Sequence, residues 1–204
     1  MDLKLLSHTE FVVFNTRDYA RASGSSLSSA SRLLNSMAKH KRLTRVSRGI
    51  WANTAHPYFT PMACVPLLLG KETGYVSFLT ALHRQGLISQ IPASIQVATT
   101  GHSRISRTPI GVFEFLKLKP ELMQEGVAWS ETKRPYPMAT LEKALLDTLY
   151  IATRKNKRFS SLPELTLEES DFSSRKFFLL LKHYKTTAQI KSAIHHRFSM
   201  KVIG

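Results

Sequence analysis

Thr16-Arg17-Asp18-Tyr19-Ala20-Arg21-Ala22-Ser23-Gly24-Ser25-Ser26-Leu27-Ser28-Ser29-Ala30-Ser31-Arg32-Leu33-Leu34-Asn35-Ser36-Met37 is the stretch on which the reading of this chain turns. Thr16 is expected to cap a short helix over residues 17–23, and Gly24 supplies the left-handed turn that ends it. The serines that follow have the composition of a linker. The apolar positions argue for a helix instead, because Leu27, Ala30, Leu33, Leu34 and Met37 fall on one helical face. The opposite face carries Ser25, Ser28, Ser29, Arg32 and Ser36, with Ser26 at the helix start. Helix, glycine turn, helix is the helix-turn-helix layout. Ala20 and Gly24 lie four apart, which lets the two helices cross closely and gives glycine the φ > 0 position. Short hydroxyls plus one arginine suit a helix lying deep in the major groove, where serine donates or accepts and arginine reaches guanine. The plainer alternative is a helical hairpin with a solvated serine face.

The next residues favour the DNA reading. Lys39-His40-Lys41-Arg42 ends the second helix with cations, which suit its dipole. Leu43, Arg45 and Ser47 then alternate with Thr44 and Val46, and Ser47-Arg48-Gly49 is a turn signal before Ile50-Trp51-Ala52. A basic hairpin directly after a recognition helix is a wing. Arg45 and Arg48, with Lys39, Lys41 and Arg42, are expected on phosphate or in the minor groove. Trp51 is expected in the small core rather than against a base.

Charge over the whole chain agrees. The 204 residues carry 29 Lys and Arg against 14 Asp and Glu, a net charge of +15. A chain this basic commonly meets a polyanion. Residues 1–60 hold nine cations and three acids, a net charge of +6. One cysteine, Cys64, excludes an intrachain disulfide, and eighteen glycines and prolines exclude collagen and low-complexity chains. The longest apolar stretch, Met62 to Leu69, contains Pro66 and is under half of the ~20 residues that a spanning helix needs. The N-terminus shows no leader pattern. The expectation is a cytoplasmic, nucleoid-associated protein with no membrane partner.

Beyond the hairpin, Pro57, Pro61 and Pro66 mark residues 56–72 as a packed linker. A helix is expected from Phe78 to Gln85, closed by Gly86. A strand over 95–100 follows, then two strands, Arg104–Thr108 and Val112–Lys119, joined at Pro109-Ile110-Gly111. Thr140 is expected to cap a helix whose apolar face is Leu141, Ala144, Leu145, Leu149 and Ala152. Two helices near 174–184 and 187–197 end the chain. The fold class is α+β: an N-terminal winged helix-turn-helix over residues 1–55, then a mixed α+β domain over 73–204. Arg104, Arg107 and the block Arg154-Lys155-Asn156-Lys157-Arg158 are further candidate DNA contacts.

Catalytic readings are weak. Gly70-Lys71-Glu72-Thr73 imitates the end of a P-loop, but its upstream glycine position is Val65. His183, His195 and His196 have no second ligand cluster at metal spacing. Glu142, Lys143 and Asp147 could form an acid–lysine set. A simpler reading places Glu142 at a helix N-terminus and pairs Lys143 with Asp147 one turn on. No enzyme activity and no cofactor are expected.

The order of motifs resembles the AbiEi family, the antitoxins of type IV toxin–antitoxin systems that serve abortive infection. The run from Thr16 through Gly24 to Ser47-Arg48-Gly49-Ile50-Trp51 resembles their winged-helix start. Tyr75-Val76-Ser77-Phe78-Leu79-Thr80-Ala81-Leu82-His83, Gln90-Ile91-Pro92 and Val97-Ala98-Thr99-Thr100-Gly101 follow in the family's order. So do Thr108-Pro109-Ile110-Gly111-Val112-Phe113-Glu114-Phe115 and Pro137-Met138-Ala139-Thr140-Leu141-Glu142-Lys143-Ala144-Leu145-Leu146-Asp147. The resemblance covers roughly residues 11–155. It implies a repressor that binds double-stranded DNA at inverted repeats in its own promoter. It also implies an antitoxin that counteracts a nucleotidyltransferase-like toxin without a stable complex. A basic RNA-binding or nucleic-acid-processing protein is the alternative. Family members usually carry a full helix before the first motif. Here Leu3, Leu5 and Leu6 must do that packing.

Overall fold

A computed structural model describes residues 4–154, 163–166 and 170–184, with positions 188, 190 and 192. The chain is an α+β protein with a three-stranded and a six-stranded sheet. Strand β1 (Val13–Asn15) runs directly into helix α1 (Thr16–Ser23). The cap of α1 is Asn15, not Thr16. The Asn15 side chain accepts from the Arg17 and Asp18 amides, and Asp18 accepts from the Asn15 amide in return. Thr16 is instead buried, and its hydroxyl accepts the indole N–H of Trp51 at 2.9 Å. Gly24 closes α1 in the left-handed region, with φ 63°.

Helix α2 (Leu27–Lys39) starts from Ser26, whose hydroxyl accepts from the Ser29 amide. Ala30, Leu34 and Met37 bury against Leu6, Phe11, Phe14, Tyr19, Leu43 and Trp51. Leu5 packs at the edge of this core, beside the buried Leu6. Leu27 departs from its expected place in the core and is 52% exposed. It sits at the first turn, beyond the reach of the core below α2. Strands β2 (Thr44–Ser47) and β3 (Ile50–Ala52) form the expected hairpin, with Gly49 at φ 76° in its turn. The strict alternation fails there. A register shift between Arg45 and Ser47 interrupts the ladder, and Leu43 and Val46 are both buried. Strand β3 also pairs with β1, giving the order β1-β3-β2.

Residues 61–69 join the two sheets. A 3-10 turn (Pro61–Cys64) leads into α3 (Val65–Leu69), and Met62, Ala63, Cys64, Val65 and Leu69 are buried. One continuous core holds them with Val12, Val13, Val46 and Ala52 on one side and Val76, Val97, Phe113 and Phe115 on the other. Arg134 also donates to the Val13 carbonyl at 2.9 Å.

The larger sheet contains β4 (Gly74–Val76), β5 (Ile95–Thr99), β6 (Arg104–Thr108) and β7 (Gly111–Lys117), then β8 (Val127–Trp129) and β9 (Pro137–Ala139). Their spatial order is β6-β7-β5-β4-β9-β8, with parallel β5–β7 and β4–β9 pairs. One face meets the shared core. The other is covered by α4 (Phe78–Arg84), α5 (Leu141–Ala152) and α6 (Ser174–Leu181). Strand β7 is accordingly buried on both faces, through Phe113 and Phe115 on one and Leu116 on the other. The helix expected near 187–197 lies largely outside the described residues.

Helix α5 is capped by Thr140 as expected, but it is buried all round over 141–151 rather than on one face. Glu142, Lys143 and Asp147 lie off the expected apolar face. They are 3%, 1% and 0% exposed, because the sheet, α4 and α6 enclose α5. Glu142 accepts from the Ser173 amide at the start of α6. Lys143 pairs with Asp147 as the spacing suggests, but in the core. Asp147 also accepts from Ser77 at 2.7 Å, Tyr184 at 2.7 Å and Tyr75 at 3.1 Å. Burial pushes the Lys143 ammonium below its usual range, and the Asp147 charge opposes that shift. Burial, then Asp147, pushes the Tyr75 and Tyr184 hydroxyls well above theirs.

Two outcomes are expected. Asp147→Ala leaves the Lys143 ammonium buried without a counter-charge, and urea denaturation is expected to show a loss of about 3–5 kcal/mol. The double variant Lys143→Met with Asp147→Leu should recover part of that loss. The remainder reflects the hydroxyls of Tyr75, Ser77 and Tyr184, which lose their acceptor. Equal losses in both would show that the ion pair is not the source. The second outcome concerns Cys64, which is fully buried with its thiol pushed up to about 12 by burial. The folded protein should resist iodoacetamide at pH 8 and react only in urea. Rapid labelling of the folded chain would contradict its burial.

Candidate functional site

Helix α2 presents three strips. Ala30, Leu34 and Met37 face the core. Ser28, Ser29, Arg32, Ser36 and Lys39 point outward and are exposed, as the sequence suggests. Leu27, Ser31 and Asn35, at i, i+4 and i+8, form a third strip that walls an open cleft of about 660 Å3. The facing wall is the hairpin, through Arg45, Arg48, Gly49 and Ile50. Asn15, Thr16, Arg17 and Trp51 complete the lining. Trp51 is 1% exposed and belongs to the core, and the Arg45 guanidinium lies 5.8 Å from its ring centroid.

Of the DNA-contact residues singled out in the sequence, Arg45 and Arg48 line the cleft. Arg45 and Arg48 are exposed on the hairpin. Lys39 ends α2. Lys41 then takes the left-handed region at φ 57°, turning the chain into β2 with its side chain exposed. Arg42 is exposed beside it. The serines behave differently from free reading groups. Ser25 is half-buried and exchanges a hydrogen bond with Ser23 at 2.8 Å. The Ser26 hydroxyl caps α2 and meets Ser28 at 3.0 Å and Ser29 at 2.9 Å. Four of the expected reading hydroxyls are therefore engaged around the helix cap.

Four cleft residues escaped the sequence reading: Asn15, Arg17, Ser31 and Asn35. Ser31 and Asn35 carried a signal, being a polar i, i+4 pair beside the apolar stripe. The Asn35 amide donates to the Ser31 carbonyl at 2.8 Å. Arg17 carried another. A cation in the first turn of a helix sits at the wrong end of the dipole for local stability, so a reason beyond the helix is called for. Electrostatically the site is one-sided. Residues 11–60 hold eight Lys and Arg and one acid, Asp18, which the capping box engages.

The other candidates lie elsewhere. Arg104 forms a salt bridge with Glu72 at 2.8 Å and covers the Phe115 ring at 4.1 Å. Burial raises the Glu72 carboxyl, but hydrogen bonds from Arg104 and Thr99 outweigh it and hold the pKa below its usual value. A side chain at Gly101 would meet the Glu72 carboxylate at 2.2 Å, so it would displace Glu72 from its present place beside Arg104. Arg104 is thus a structural ion-pair partner in the chain by itself, while Arg107 is exposed on β6. Arg154 is exposed, and Lys155 to Arg158 lie outside the described residues. The Gly70–Thr73 stretch ends α3 and runs into β4 rather than into a helix. Among the described residues, no three His, Cys, Asp or Glu side chains come together as a metal site. No described helix is long and apolar enough to cross a membrane.

In comparisons with family models and with curated proteins, nothing matches this chain.

Proposed function

We propose that the chain is a sequence-specific duplex-DNA-binding protein and that its first 55 residues are a winged helix-turn-helix. The observation that carries this reading is the cation-lined cleft between α2 and the β2–β3 hairpin. Helix α1, a glycine turn and α2 cross over a small core, and the hairpin follows at once. In that layout α2 enters the major groove and the hairpin lies along the backbone. Arg32 and Ser36 on the outward strip face base edges. Arg17, Arg45, Arg48, Lys39, Lys41 and Arg42 neutralise phosphates. The aromatics of this unit, Phe11, Phe14, Tyr19 and Trp51, are buried, which disfavours a stacking platform for single strands.

The resemblance to AbiEi proteins extends the proposal. The chain would repress its own promoter and counteract a nucleotidyltransferase-like toxin without a stable complex. The second sheet, with the family-like motifs, would carry the antitoxin role. Since Met62 to Val65 are buried against both sheets, the two roles are best separated by surface substitutions in the intact chain.

Two measurements test the reading. On a duplex selected by the protein, Arg32→Ala should cost about 1–3 kcal/mol, and much less on random DNA. The slope of log K against log salt should be about −5 if about six phosphates are neutralised, and Arg48→Ala should reduce it by about one. An affinity indifferent to salt would place the ligand elsewhere. For the antitoxin role, Arg32→Ala combined with Arg48→Ala should abolish repression of a promoter reporter. Growth rescue beside a toxin encoded in the same operon should persist. Loss of rescue together with repression would make neutralisation transcriptional.

A further inference from the structure

Leu27 opens α2 and is 52% exposed. One exposed leucine says little by itself. Its setting says more. The core beneath α2 takes Ala30, Leu34 and Met37, with Leu33 and Ala38 at its edge, and Leu27 has no place in it. The neighbouring hydroxyls are tied into the helix cap. Ser26 holds the Ser29 amide, and Ser28 and Ser29 both engage the Ser26 hydroxyl. The start of α2 therefore offers an apolar side chain standing clear of engaged hydroxyls. It borders the cleft that also holds Arg17, Arg45 and Arg48.

An isobutyl group at that position is no partner for a phosphate, nor for the donors and acceptors of guanine, cytosine or adenine. Among the groups that base pairs present in the major groove, one is apolar, the C5-methyl of thymine. We infer, on the DNA-binding reading above, that Leu27 selects a thymine by covering that methyl while the cleft guanidiniums hold nearby phosphates. Leu27 and Arg32 are five residues apart, about 7.5 Å along the helix axis. The two side chains stand on different strips of α2, Leu27 on the cleft side and Arg32 on the outward side, so they read different base pairs. The inference adds a discriminating residue that hydrogen-bond reasoning passes over, since Leu27 has no polar atom in its side chain.

The test uses the full chain. Wild type and Leu27→Ala are each used to select duplexes from a randomised pool. Thymines in the wild-type consensus are then replaced one at a time by uracil, which removes only the methyl. At one position uracil should weaken wild-type binding about fourfold, the value of one buried methyl. Leu27→Ala should bind the thymine and uracil duplexes there equally, with a relaxed consensus at that position. It should keep the wild-type far-ultraviolet circular dichroism, since Leu27 lies outside the core. Selective binding that ignores uracil at every position would overturn the inference and leave the DNA reading standing. So would an equal uracil effect in both proteins. Failure of wild type to enrich any duplex would overturn the DNA reading, and the inference with it.

Discussion

The Asp147 carboxylate is the point on which the larger part of the molecule is hung. It has no exposed surface, yet it is bonded by Lys143, Ser77, Tyr184 and Tyr75. Those groups belong to β4, to the residue before α4, to α5 and to the turn after α6. An ionised group in such a place is tolerated only when its lone pairs are filled. Each of the four elements must therefore stand close to one position for the charge to be acceptable. Apolar packing around α5 supplies stability but would accept small rotations. The carboxylate does not, because a misplaced hydroxyl leaves a buried polar atom without a partner. The Glu142 contact to the Ser173 amide adds a second tie between α5 and α6.

The same demand for burial joins the two sheets. Val12 precedes and Val13 opens the strand that launches α1, and both pack on Met62 to Val65. The position of the first sheet and its two helices is therefore set by a core that they share with the second sheet. The proposed binding surface is built from short polar side chains and arginines on a small frame. A unit of that size has little apolar area of its own. Its Trp51–Thr16 hydrogen bond and its shared core add to that small frame. A unit framed in this way holds α2, the hairpin and Arg17 in fixed relation to one another.

Much of this architecture was readable without coordinates. Gly24 after a polar helix start, the stripe Ala30, Leu34 and Met37, and the turn at Ser47-Arg48-Gly49 are local signals, and each marks the element it suggests. Thr140 likewise caps α5. The misreadings share a cause. Thr16 and Asn15 are both competent caps, and the choice between them was made by Trp51, which takes the Thr16 hydroxyl from 35 residues away. Leu27 fits the helical stripe by angle, but it lies at the end of a helix whose core stops at Ala30. The serines looked free because the sequence does not show that Ser26 gathers Ser28 and Ser29 around one hydroxyl.

The sequence by itself determined the order of helices, turns and strands, the strongly basic first sixty residues and the pairing distance of Lys143 and Asp147. These follow from caps, periodicity and charge within a few residues of one another. Only the tertiary structure decided which surfaces are open. Asp147 meets Tyr75 across 72 residues and Tyr184 across 37, so a pair that looks like a surface salt bridge becomes the buried centre of a domain. Arg104 likewise meets Glu72 across 32 residues and leaves the set of free cations. Burial is decided by what arrives from elsewhere in the chain, and a local pattern carries no record of that.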